Sequence, residues 1–146
     1  MKHKVFISST YGDLIPYRAN IWEVISKLNN ITIVGMEKFG ARTASSLETC
    51  LAEVAASEIY VGIIAYRYGS VDKYTGKSYT QIEYEKALAL GRHILIYLFD
   101  KEGFIQPKNI DFGENAKKLA VFKNSLKKTI QLTILKNLTS FLQKFM

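Results

Sequence analysis

Residue types that bind metals or form disulfides are scarce in this chain. Histidine occurs only as His3 and His93, and cysteine only as Cys50. One histidine is terminal and the other opens a β-rich run, so neither a metal cluster nor a Ser-His-Asp triad is suggested. A lone cysteine cannot close an internal disulfide, which fits a reducing, cytoplasmic setting. The longest apolar run, "IYVGIIAY" at 59–66, is far short of the roughly 20 residues that span a bilayer. The basic start "MKHKVFISST" has too short an apolar stretch for a signal peptide, and no cleavage pattern follows it. Neither GxxxxGKS/T nor GxGxxG occurs, which removes the two common glycine-rich phosphate loops. No internal repeat, low-complexity tract or interdomain linker is visible.

What is present suits one α/β domain over 1–146. The 48% hydrophobic and 23% charged content is that of a globular chain long enough to bury a core. The net charge of +7 is unevenly spread. Residues 1–113 hold 13 basic and 12 acidic side chains, whereas residues 114–146 hold 7 and 1. A basic helical face is usually just solvated, and its phenylalanines fall at apolar positions, so specific nucleic-acid or membrane binding is not expected.

Four runs read as strands: "KVFIS" (4–8), "ITIVGM" (31–36), "IYVGIIA" (59–65) and "HILIYLF" (93–99). The second and third are continuous apolar blocks, as in strands covered on both faces. Helix-length segments lie between them. The first can be capped by Asp13, with Pro16 in its opening turn and an apolar stripe Leu14, Ile21, Trp22, Ile25 and Leu28. The second opens on a Ser45–Glu48 capping box and carries the stripe Leu47, Cys50, Leu51, Val54 and Ala55, which makes Cys50 a core residue. The third runs from "SYTQIEYEKALALG" to a C-cap at Gly91. Strand starts are spaced as in βαβ units, so parallel strands with helices on both faces follow. Residues 114–128 read as helix, "TIQLTI" (129–134) as a fifth strand, and the stripe Leu135, Leu138, Phe141, Leu142, Phe145 as a last helix. The expected fold is a flavodoxin-like, doubly wound parallel sheet of three layers, strand order 2-1-3-4-5.

In such a sheet the ligand crevice lies beyond the carboxyl ends of the strands, at the switch point between strands 1 and 3. "SST" (8–10), "EKFGAR" (37–42) and "YRYGS" (66–70) all follow strands and therefore share that rim. Small hydroxyls and helix N-termini favour anions, arginines add phosphate contacts, and aromatic rings offer stacking faces. Each feature also has a plainer reading. Ser8, Ser9 and Thr10 can be caps and turns, and Arg67 can pair with a surface carboxylate. Glu83, in the first turn of the third helix beside the face Tyr84, Ala87, Leu88 and Gly91, is expected to look toward the crevice. "TQIE" (80–83) is equally a capping box in which Glu83 serves a backbone N–H. Glu85 is turned to solvent.

The three stretches "VFISST", "YVGIIAYRYGS" and "SYTQIEYEKAL", in this order, resemble the TIR-like domain catalogued as domain of unknown function 4062, over about residues 4–99. That domain often stands at the N-terminus of STAND-type NTPases and repeat proteins with signalling or anti-phage roles. No NTPase or repeat region follows here, so the chain is a free-standing version or a piece of a longer one. The domain is more distantly similar to nucleoside 2-deoxyribosyltransferases and TIR NAD hydrolases. In those relatives a glutamate in the corresponding helix attacks, or stabilises charge at, the anomeric carbon. The pattern T-x-x-E-Y-x-x-A, Thr80 to Ala87, carries that role onto Glu83.

The resemblance thus implies an N-glycosidase acting on NAD or a related nucleotide, with Glu83 catalytic. Ser8, Ser9, Thr10, Arg42 and Arg67 would hold ribose or phosphate. Tyr68 or Phe39 would cover the base, and Gly69, Tyr79 and Thr80 complete the substrate-binding set. Neither a cofactor nor a metal is called for, and a homo-oligomer is compatible. A non-catalytic nucleotide-binding or oligomerising TIR-like module is the alternative.

Overall fold

The alternation of apolar blocks with helix-length segments folds into parallel strands because each crossover helix returns the chain to the same edge. The structure, a computed structural model, describes residues 2–35, 47–99 and 106–145, with side chains through residue 129. Its strands are β1 (His3–Ser9), β2 (Ile31–Val34), β3 (Ile59–Ile64) and β4 (His93–Leu98). All pair in parallel, in the order β2-β1-β3-β4. The helices are α1 (Ile15–Ser26), α2 (Leu47–Ala56), α3 (Tyr79–Ala89) and α4 (Glu114–Phe145), with a 3-10 turn at Pro107–Asn109. This is the expected flavodoxin-like, doubly wound architecture.

Side chains alternate across a strand, so β1 and β3 feed two separate cores. Phe6, Tyr60 and Ile64 face α2, α3 and α4, packing with Val54, Tyr84, Ala87, Phe122 and Leu126. Val5, Ile7, Val61 and Ile63 face the other way, against Leu14, Ile21, Trp22 and Ile25 at α1. Cys50 is buried in the first of these cores, as its stripe indicates. The central strands are buried on both faces, while the edge strand β4 alternates exposed and half-buried positions.

The C-terminal part differs from expectation. No fifth strand forms among the described residues; 129–134 lie inside α4, which continues unbroken to Phe145. Residues 114–146 contain neither glycine nor proline, so nothing stops a helix once nucleated, and β-branched content alone does not. The start of α1 also differs. Leu14 takes the N-cap position and no side chain caps the helix, so Asp13 does not serve there. Leu28 is exposed rather than part of the apolar stripe. Ser45 lies outside the described residues. The end of α3 is as expected: Gly91 adopts φ +67°, its N–H donates to the Leu88 carbonyl and that of Arg92 to the Ala87 carbonyl.

Candidate functional site

The three consecutive hydroxyls at the end of β1 point in different directions, because the strand alternates its faces. Ser8 turns toward α3 and donates from Oγ to Glu83 Oε1 at 3.2 Å. Ser9 turns toward α1, where its Oγ accepts from an Arg18 guanidinium nitrogen at 2.8 Å. A second Arg18 nitrogen donates to the Ile7 carbonyl at 3.2 Å. Thr10 meets the turn after β3: a Cβ built on Gly69 would lie 2.9 Å from its Cγ2 and 4.0 Å from Thr80 Oγ1. Gly69 has φ +93°, so both its backbone conformation and its lack of a side chain let the two loops close together.

The start of α3 fixes Glu83. Ser78 is the N-cap, extended at φ −70° and ψ 154°, and its Oγ accepts from the Gln81 N–H at 3.1 Å. The capping position is therefore two residues ahead of Thr80, and the "TQIE" capping box does not form. Thr80, Glu83, Tyr84 and Ala87 make up the buried face of α3. Glu83 sits within that face rather than at its margin, at 7% exposure. Leu88 and Gly91, expected on the same face, are exposed. Glu85 points outward and pairs with Lys77 at 3.0 Å.

Burial dominates the electrostatics of Glu83. Loss of water raises its pKa from 4.5 to about 7, against the opposing pull of the Ser8 hydrogen bond and the Arg18 charge. Tyr60 lies in the same cluster. Its burial first, and the Glu83 carboxylate second, push its pKa well above 10. The strand that carries it makes room for it at Gly62, where a Cβ would come within 3.0 Å of the Tyr60 ring and 2.8 Å of Ile96 Cδ1. The result is a dry, hydroxyl-lined carboxyl that exchanges its proton near neutrality. Such a group can stabilise developing positive charge at a carbon or hold a proton.

The other expected residues are placed as follows. Arg67 pairs with Asp111 at 3.5 Å, and the Tyr68 N–H donates to the same carboxylate at 2.7 Å. The Tyr68 ring is buried in the core beside α3, and its hydroxyl donates to Gln81 Oε1 at 2.5 Å. Tyr79 is partly exposed and its N–H donates to the Ser70 carbonyl at 2.9 Å. Phe39 and Arg42 lie outside the described residues. The structure thus brings Ser8 to Glu83 and groups Thr10, Gly69 and Thr80, while Arg67 and Tyr68 are engaged by Asp111. No group of three or more metal-ligating side chains exists among the described residues.

Arg18, at 1% exposure, was not among the expected site residues. Its signal was present: it falls four residues after Leu14 and three before Ile21, a cation on the buried stripe of α1. Tyr60 left no such signal, since a tyrosine in an apolar strand reads as core.

Comparison with known proteins places the chain in a family. No curated protein matches the chain. Among solved structures it is similar to a 2-desoxiribosyltransferase from Leishmania mexicana, with TM-score 0.48 and 11% identity, covering 78% of this chain and 76% of that one. The family profile described as Domain of unknown function (DUF4062) matches residues 4–141, well beyond the stretch that carries the sequence resemblance, and the chain belongs to that family.

Proposed function

We propose that the protein cleaves the N-glycosidic bond of a nucleotide such as NAD, with Glu83 as its catalytic carboxylate, in a signalling or anti-phage defence role. The observation that carries this reading is the setting of Glu83: a buried carboxyl, held by Ser8 at the carboxyl end of β1 and titrating near neutrality. When the C1′–N bond breaks, its electron pair leaves with the base and C1′ takes on oxocarbenium character. A carboxylate in a dry site stabilises that charge far more strongly than one in water, or captures it as an ester that water then opens. The nicotinamide of NAD departs neutral and needs no proton, which suits a site built on one carboxyl group. Since the ionised form does the work, base release rises as pH climbs through about 7. Thr10 and Thr80, grouped at Gly69, supply hydroxyls for ribose or phosphate.

The test is base release from NAD and a nucleoside panel by wild type, Glu83→Gln and Glu85→Gln. Glu83→Gln keeps size and the acceptor for Ser8 but removes the charge, so the rate falls by orders of magnitude while Glu85→Gln stays near wild type. Equal rates for wild type and Glu83→Gln would retire this residue. A second reading, a non-catalytic module that oligomerises, is favoured by an apolar groove of about 400 Å³ between α1 and β4. Self-association of wild type without base release from any tested nucleotide would support it.

A further inference from the structure

Asp13 is a further carboxylate at the carboxyl edge of the sheet, and its situation is the reverse of Glu83's. Both of its oxygens are shut off from solvent, and neither accepts a hydrogen bond among the described residues. It does not cap α1. A carboxylate removed from water without donors is costly, and here two acceptors go unused. The residue lines a cavity of about 340 Å³ between the β1–α1 turn, the end of β3 and the turn at Pro107–Asn109. That volume is within the roughly 300–1,000 Å³ typical of ligand pockets. With Leu14 and Ala65 in its wall, the cavity opens on the α1 face, whereas Ser8 and Glu83 belong to the opposite face.

We propose that this cavity binds a guanine-type base through Asp13. The inference is independent of any reaction at Glu83. Two adjacent acceptors on one carboxylate match two adjacent N–H donors, and guanine presents N1–H and its 2-amino group side by side. The walls suit a flat ring: Phe99 stands edge-on to Tyr17 at 4.9 Å and to Tyr66 at 6.4 Å, and all three line the cavity. Gln106 and Asn109 contribute amides that can meet the O6 and N7 edge, and Lys108 adds a cation for a phosphate. Asp13 lines the cavity and is only half-buried as a whole, so in this proposal its carboxylate turns about χ1 to meet the base. Binding then replaces two missing hydrogen bonds at once.

The experiment is calorimetric titration of the whole chain with guanosine 5′-monophosphate and inosine 5′-monophosphate, which differ only by the 2-amino group. The guanine nucleotide is expected to bind at least about tenfold more tightly, the scale of one charge-assisted hydrogen bond. Asp13→Asn, and Asp13→Ser as a second variant with a wild-type melting curve, should erase that preference and weaken the inosine nucleotide less than the guanine one, since it loses only its N1–H contact. Equal affinity for the two nucleotides overturns the proposal, as does absence of guanine-nucleotide binding. So does a preference that survives both variants, or tighter binding of agmatine, which offers paired N–H donors without a ring.

Discussion

On one face of the sheet three helices close over Phe6, Ser8 and Tyr60; on the other, α1 is the one helix among the described residues that packs on Val5, Ile7 and Ile63. The first face is finished. Tyr60, Tyr84 and Phe122 pack in series, the first pair tilted and the second edge-on, with ring centroids 6.2 and 5.7 Å apart, and Leu126 is fully buried. Among the described residues the second is open toward β4, where Leu95 and Tyr97 are 54% and 52% exposed. The carboxylates differ in parallel. Glu83, under the closed face, has a donor in Ser8 and a raised pKa; Asp13, by the open face, has two oxygens without a hydrogen bond among the described residues, beside a cavity. A closed face tunes a group by removing water, whereas an open face leaves room for something else to supply the contacts.

The sharpest stability contrast comes from truncating the closed face. Leu126→Ala deletes a side chain with no exposure and should cost about 2–5 kcal/mol, read by denaturant unfolding. A loss below about 1 kcal/mol would mean that α4 is not tightly seated there.

Glu83 gives the next effect, through pH. Its folded pKa of about 7 lies above the unfolded value of 4.5, so the native state holds the extra proton between them. Its contribution is therefore full below pH 4.5 and is lost as pH rises through about 7, amounting to about 3 kcal/mol. Comparing unfolding at pH 5 and pH 8 for wild type and Glu83→Gln isolates this term, because the variant cannot titrate. The variant should be the more stable protein at pH 8 while losing base release. Parallel pH profiles for the two proteins would show that the carboxyl is not dry.

Gly62→Ala probes the space that Tyr60 occupies. Ile96 Cδ1 can swing aside, but Tyr60 at 1% exposure cannot, so about 1–3 kcal/mol of overpacking is expected in thermal or chemical melts. A neutral result would mean that the Tyr60 ring is loosely held. The smallest effect belongs to the open face. Leu95→Ser should stay within about 0.5 kcal/mol, as exposed positions do. A larger loss, together with a change in sedimentation, would show that a second copy covers β4.

The core layers were legible because burial follows period. "IYVGIIA" read as a strand covered on both sides, and Cys50 and Val54 read as one helical face. Glu83 was legible as a candidate, but its depth was not. Whether the cap stood at Ser78 or Thr80 decided whether Glu83 served a backbone N–H or met Ser8; the cap is Ser78, which also bridges to Val71. The fifth strand failed for a different reason. Thr129 to Ile134 carry strand-like side chains, yet a helix already running from Glu114 propagates at less cost than a new element begins.

By itself, then, the sequence determined the parallel α/β order and which stripes are apolar, because those properties depend on neighbours within a few residues. Only the tertiary structure decided which charges lose their water. Ser8 and Glu83 are 75 positions apart, Arg18 reaches Ser9 from another helix, and Asp13 faces a wall built from three later segments. Desolvation sums over all that surrounds a group, and no local pattern in the chain records that sum.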